Sequence, residues 1–230
     1  MRQTKAREDY LKAIYELSLD SKRVTTQDLA RRLNVRSPSV TGMLKSLAKE
    51  KLIVHSPRSH AALTAKGRTE ALRLRRRHGL IELFLARVLK MDMAQIHTEA
   101  EALEHHISAT LEDLIDVHLG HPRYSLNGEP IPDAAGKLPR NSSVPISELK
   151  LKQHAQICEV LDHYPAQLKR WLELGLVPEA RIWIEEDRSI DGIVVLHVNG
   201  KNVPLTWKAL KGLKVRTIKT NGSTKGKVKK

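Results

Sequence analysis

A single cysteine in 230 residues excludes an intramolecular disulfide and a thiolate zinc knot, each of which needs more than one thiol. Aromatic residues make up 3% of the chain, too few for the base-stacking platforms of RNA-binding modules. No apolar run approaches the ~18 residues that a membrane span requires, and the opening MRQTKAREDY lacks the apolar stretch of a secretory signal. A soluble, cytoplasmic protein without membrane contact is expected. Acids are in deficit as well: 26 Asp and Glu stand against 40 Lys and Arg, for a net charge of +14. That balance selects a polyanionic partner, with nucleic acid first.

The charge is unevenly spread. Residues 1–77 hold 19 basic and 7 acidic side chains, whereas 78–120 hold 2 and 8, together with five of the eleven histidines. Residues 208–230 carry nine Lys or Arg and no acid. A basic head, an acidic and His-rich middle, a near-neutral C-terminal part and a basic tail follow from this pattern.

Tyr10, Leu11, Ile14, Tyr15 and Leu17 form one helical stripe. Thr25 or Thr26 can cap a second helix that turns Leu29, Ala30 and Leu33 inward. Ser37 as cap and Pro38 at the first helical position then open a third, with Val40, Met43, Leu44 and Leu47 at helical spacing. HSPRSHAALT reads as two short strands around a Ser/Pro/Arg turn, and Thr64 caps a long helix through Arg77. Helix, turn, helix and hairpin is the order of a winged helix-turn-helix. Residues 78–119 read as helical throughout, and the apolar run from Leu80 to Leu89 is broad enough to ask for a second copy of the chain, so a homodimer is expected. Pro and Gly between Gly120 and Pro145 mark a linker. Beyond it, strands around an Asn199-Gly200 turn suggest a small barrel of SH3-like size.

The expected fold is therefore mainly α with a small β part. A winged helix-turn-helix domain (1–77) precedes a helical dimerisation and metal-binding domain with its linker (78–145). An SH3-like β-barrel (146–218) and a disordered basic tail (219–230) complete it.

Two constellations carry chemistry. Arg36, Ser37, Pro38, Ser39, Thr41 and Gly42 are short or basic residues at the start of the third helix, which lets a helix N-terminus sit deep in a major groove; Arg58 in the hairpin turn joins them. Only Arg36 has the forked donor geometry suited to a guanine edge, so groove shape and contacts to thymine methyls carry much of the preference. The second set is His78, Glu82, His97, Glu101, Glu104 and His105. A lone His/Glu pair reads most simply as solvated surface. Six candidates within 28 residues of an apolar bundle instead point to a divalent cation that relieves the repulsion among the acids. A metalloenzyme is the weaker alternative, because HExxH, a nucleophile elbow and a phosphate-cradling glycine loop are all missing. A winged-helix regulator that senses an organic ligand, with the acids only as surface charge, is the other.

EDYLKAIYEL, the Ser37-Pro38-Ser39-Val40-Thr41 segment, RHGLIELFLARVL, IHTEAEALEHHIS and LGHPRYSLNGEPIP together resemble the diphtheria-toxin-repressor family of metal-dependent regulators, in its long form with a C-terminal SH3-like domain. The resemblance runs from Arg7 to Ala135 and continues more weakly to Ile218. It implies a dimeric repressor of metal-homeostasis genes that binds a pseudo-palindromic double-stranded operator when loaded with metal. It also implies one metal site at Asp9, Glu101, Glu104 and His105, and a second at His78, Glu82 and His97 completed by Glu159 and Asp162. Iron-responsive members have Met and Cys where this chain has Asp9 and Glu101, so the family comparison implies Mn(II) first and Fe(II) second. Hard oxygen in place of soft sulfur agrees, although affinity alone would rank copper, nickel and zinc higher. The manganese branch often carries a second carboxylate at the position of Lys12, a departure that counts against a compact two-metal cluster. Cys158, beside Glu159, is read as having no role.

Overall fold

The computed structural model describes residues 2–20, 23–55, 60–140, 143–160, 165–188 and 192–218. Contacts divide the chain into two compact units, Met1–Arg123 with Pro130–Pro139, and Tyr124–Glu129 with Arg140–Lys230. No helix among the described residues is long and apolar enough to cross a membrane.

In the first unit, α1 (Arg2–Asp20) buries Tyr10, Leu11, Ile14 and Tyr15 on one face. α2 (Thr26–Arg32) starts on a capping box. The Thr25 hydroxyl accepts the Asp28 N–H, and the Asp28 carboxylate accepts the Thr25 N–H, so two donors otherwise orphaned at a helix start are satisfied. α3 (Ser37–Lys49) buries Val40, Leu44 and Leu47. Its cap is Arg36, one residue before the expected Ser37; Pro38 falls at the second helical position, where its missing N–H is equally harmless. β1 (Ile53–Val54) and β2 (Ala62–Leu63) pair antiparallel, with Ile53 opposite Leu63. The turn between them, with Arg58, lies outside the described residues. Leu11, Ile14, Leu29, Val40, Leu47 and Leu52 share one core, and each buried side chain contributes about 1.5–3 kcal/mol.

α4 (Ala65–Arg87) begins on Thr64, whose hydroxyl accepts the Gly67 N–H at 3.1 Å. It does not stop at Arg77. Leu72 and Leu74, then Leu80, Ile81, Leu83 and Leu85, are buried along one uninterrupted helix, which therefore runs from the winged-helix segment into the acidic middle. Downstream the chain breaks twice where unbroken helix was expected. Lys90 takes a positive φ and Asp92 caps α5 (Met93–Leu103); Ser108 caps α6 (Ala109–His118). Of the run from Leu80 to Leu89 expected to need a second copy, Leu80, Ile81, Leu83 and Leu85 are buried within this unit, whereas Val88 and Leu89 remain exposed. A further exposed apolar stripe lies on α6, at Leu111, Leu114 and Val117.

Arg76 and Arg77 lock α4 to α6. Arg76 Nε lies 3.2 Å from Glu112 Oε1 and its Nη2 3.0 Å from Asp116 Oδ2, while Arg77 Nε lies 2.8 Å from Glu112 Oε2. Arg76 Nη1 also donates to the Pro132 carbonyl at 2.9 Å. The Pro/Gly-rich stretch is irregular, as expected, yet pinned rather than free: Ile131 is buried and Leu138 packs on the first core.

The second unit contains β3 (Val144–Pro145), β4 (His154–Val160), α7 (Pro165–Leu174), β5 (Arg181–Arg188), β6 (Ile193–Val198), β7 (Lys201–Thr206) and β8 (Leu213–Thr217). The strands form one antiparallel sheet in the order β3-β8-β4-β5-β6-β7. Asn199 and Gly200, both at positive φ, make the two-residue turn from β6 to β7 that the Asn-Gly pair calls for. α7 was not anticipated; its Trp171 is buried and donates its indole N–H to the Ala209 carbonyl at 3.0 Å. β3 and β7 are edges, so among the described residues the SH3-like part is an open sheet rather than a closed barrel.

Candidate metal centre and nucleic-acid interface

α1, α4 and the end of α5 bring the predicted ligands of the first unit into two adjoining groups. In one, His78 and Glu82 sit one turn apart on α4 and meet His97 from α5; in the other, Asp9 of α1 meets Glu104 and His105. Within each group the ligand atoms lie within 4.8 Å of one another. α5 ends at Leu103, so Glu104 is its C-cap and His105 reaches the site from the turn beyond, although residues 78–119 were expected to be helical throughout.

Glu82 Oε1 lies 3.0 Å from His78 Nε2 and 3.2 Å from His97 Nδ1. Glu101, expected beside Asp9, has its carboxylate 3.4 Å from His97 Nε2 and so faces the other group. In the second group His105 Nε2 is 2.9 Å from Asp9 Oδ1 and 3.5 Å from Glu104 Oε1. Its Nδ1 lies 2.7 Å from Glu8 Oε2, a partner that sequence reasoning missed. A carboxylate that accepts from Nδ1–H fixes the tautomer and aims Nε2 at Asp9 and Glu104, as a metal-ligating histidine requires. The one available signal was the Glu8-Asp9 pair, two acids on the face of α1 that leads to the bundle.

The groups join through Glu104, whose Oε2 lies 2.7 Å from His78 Nδ1. Lys12 Nζ stands at the same junction, 3.0 Å from each Glu104 oxygen and 3.3 Å from His78 Nδ1.

Protonation follows from these contacts. Burial and the Lys12 charge press the His78 imidazole down, but hydrogen bonds to Glu104 and Glu82 outweigh them and raise it. Hydrogen bonds to Glu101 and Glu82 push His97 up to about 9. Burial works against the charged forms of Glu82 and Glu104, yet their histidine partners hold both below the usual carboxylate range; Glu101, bonded to His97, falls to about 2. Asp9 moves up, chiefly because it is partly buried. Imidazolium and ammonium charges thus balance the acids. The donors are nitrogen and oxygen without sulfur, gathered three to a group, and this set fits a divalent ion of hard or borderline character.

Glu159 lies in the second unit. It is buried on β4, where its carboxylate accepts from the Ser143 hydroxyl at 2.8 Å and the Lys214 ammonium at 3.1 Å. Asp162 lies outside the described residues. Cys158 is half-buried, and burial pushes its thiol up, away from the thiolate a metal would need.

On α3, Arg36, Ser37, Pro38, Ser39, Thr41 and Gly42 are all exposed, while Val40 and Leu44 behind them are buried. The Arg36 side chain caps nothing, and a methyl group built on Gly42 would meet only open space. Thr41 Oγ1 donates to the Ser37 carbonyl at 3.1 Å, so its hydroxyl hydrogen is already used and its oxygen remains an acceptor. This short-residue face at a helix start can approach a duplex closely.

Three family descriptions match the chain in succession. They are an iron-dependent repressor N-terminal DNA-binding domain at residues 3–61, an iron-dependent repressor metal-binding and dimerisation domain at 64–133, and a FeoA domain at 144–217. The iron-dependent repressor IdeR of Mycobacterium leprae is 28% identical over 230 residues, covering 92% of this chain and 96% of its own. The transcriptional regulator MntR of Bacillus velezensis is 35% identical over 105 residues, covering 46% of this chain and 73% of its own. Among solved structures, a manganese-dependent transcriptional repressor in complex with manganese superposes with a TM-score of 0.85 at 29% identity, over 92% of this chain and 99% of that one.

Proposed function

The chain belongs to the iron-dependent repressor family of metal-dependent transcriptional regulators, and we propose that it represses metal-homeostasis genes by binding operator DNA when a divalent metal is held at Asp9, Glu104 and His105. The observation that carries this reading is the 2.9 Å approach of Asp9, on the first helix of the DNA-binding segment, to His105, at the end of α5. Bound there, the ion supplies two positive charges to acids drawn from both segments. Asp9 then ties α1 to α5, Glu8 holds the His105 ring in place, and the angle of α3 is fixed relative to the bundle. Manganese is the first choice and iron the second, given oxygen donors at Asp9 and Glu101. The named relatives are a repressor and a transcriptional regulator, which sets the metalloenzyme alternative aside.

His78, Glu82 and His97 are the second site in this reading, with Glu101 turned toward it through His97. Glu159, in the second unit, is engaged by Ser143 and Lys214 and is not part of this site. Residues 1–77 bind DNA, 78–145 hold metal and dimerise, 146–218 form the SH3-like part, and the basic tail from 219 adds phosphate contacts that steepen salt dependence. A DNA partner places the protein in the cytoplasm.

The homodimer is built on α6. Leu111, Leu114 and Val117 are exposed at a three-residue step, and a second copy that covers the stripe by a two-fold axis presents two α3 helices to the halves of an inverted repeat. Leu114→Lys is expected to give a monomer by light scattering at micromolar concentration, with little change in its circular dichroism. A variant that remains dimeric moves the interface elsewhere.

The functional test is selection from a random duplex pool, once with Mn(II) and once with chelator. An inverted repeat enriched only with metal is the expected result; equal enrichment in both arms overturns metal activation. Uptake should also depend on pH. His97, raised to about 9, has to lose its proton before it can ligate, so Mn(II) affinity should climb as pH rises from 7 toward 9. Calorimetry at three pH values checks this, and a flat profile removes His97 from the ligand set. Without metal the sign is opposite: the stabilisation from protonated His97 is complete below its ordinary 6.5 and fades as pH rises through about 9.

A further inference from the structure

Lys12 is a buried ammonium at the junction of two cation-binding groups, and neither the DNA interface nor the ligand sets account for it. It touches both oxygens of Glu104, which belongs to one group, and Nδ1 of His78, which belongs to the other. An apolar side chain would fill the same place on the inner face of α1 without the cost of burying a charge. The ammonium is held there by its contacts with Glu104, and those contacts set it against any ion that takes Glu104 as a ligand.

We propose that Lys12 is a resident counter-cation that neutralises Glu104 and joins α1 to α5 in the metal-free protein, opposes the ion in the metal-bound protein, and thereby sets the metal concentration at which the repressor switches. The proposal deepens the metal-activated reading above and rests on it. Two opposite effects follow from one charge. Without metal, Lys12 does part of the work that an ion does; with metal, its proximity weakens binding and keeps the two groups as separate single-ion sites.

The test uses the full chain and compares wild type with Lys12→Met, Lys12→Arg and Lys12→Glu, by thermal melts in chelator and by calorimetric titration with Mn(II). For Lys12→Met the melting midpoint in chelator should fall and Mn(II) should bind about tenfold or more tightly. Lys12→Arg, which keeps the charge, should stay near wild type, and Lys12→Glu should take up an additional equivalent of Mn(II) per chain. A folded Lys12→Met with unchanged or weaker Mn(II) affinity overturns the proposal. Should Lys12→Met fail to fold in chelator, Lys12→Gln keeps a hydrogen bond to Glu104 without the charge and is read the same way. Should that variant also need metal to fold, recovery on adding Mn(II) supports the proposal and failure to recover overturns it. Absence of uptake by both wild type and Lys12→Met overturns the metal-activated reading and this one together. Uptake by Lys12→Met alone shows that Lys12 excludes the ion but overturns metal activation of the natural protein, and with it the proposed set point.

Discussion

Asp9→Ala is expected to erase the metal-dependent gain in operator affinity, a loss of tens to a hundredfold at fixed salt, while the weak metal-free binding stays as it was. The size follows from a coupling of about 2–3 kcal/mol between the metal and DNA sites, within the usual allosteric range. The direction follows from place: Asp9 is the ligand on α1, and the other two members of its group, Glu104 and His105, lie at the end of α5. Removing it leaves an ion that can still bind the bundle but no longer holds the helix that carries the DNA-binding segment. Asp9 is about one third exposed and is not part of the apolar core, so the fold should survive. Fluorescence anisotropy of a selected operator, titrated with Mn(II) and with chelator, reads the ratio directly. A ratio equal to wild type would move the clamp away from Asp9. Phosphate contacts from the basic head and tail are untouched, so the salt slope of the metal-free protein should not change.

Those parts of the architecture governed by short-range rules were legible in the sequence. Thr25, Thr64 and the Asn199-Gly200 pair act through hydrogen bonds or backbone preferences a few residues long, and each sits where its chemistry calls for it. The ligand types were legible for a related reason, since His78 and Glu82 at a four-residue step fall on one helical face wherever that helix packs. What could not be read depends on distance along the chain. Lys12 meets Glu104 across 92 residues, and Glu8 meets His105 across 97. Nothing local to the sequence around either acid distinguishes those contacts from a solvated face. Glu101 meets His97 one turn back on α5, a step the sequence does show, whereas the end of α5 at Leu103 is what sends Glu104 and His105 to the other group. The apolar run from Leu80 to Leu89 indicated how much surface needs covering without saying what covers it; the chain itself covers Leu80, Ile81, Leu83 and Leu85, while Val88, Leu89 and the α6 stripe stay open.

Glu104→Ala should cost the metal-free protein about 3–5 kcal/mol, the range for breaking a buried ion pair from one side. Glu104 is almost fully buried and is the sole acid bonded to Lys12 among the described contacts. Its loss strands the Lys12 ammonium with no carboxylate beside it and takes from His78 the hydrogen bond that does most to favour its charged form, leaving burial and the Lys12 charge to oppose that form. Either Lys12 swings out and opens the α1 packing, or the two groups pay for their proximity by losing protons. Both routes lower stability. Urea unfolding followed by circular dichroism in chelator gives the figure, and Mn(II) should not restore it, since the second group has lost its central ligand. The decisive comparison is Lys12→Met/Glu104→Leu: with both charges gone and apolar volume in their place, most of the lost stability should return even though metal uptake at Asp9 and His105 does not. A double variant as unstable as Glu104→Ala alone would mean that the single substitution acts through the C-cap of α5 and not through the stranded charge.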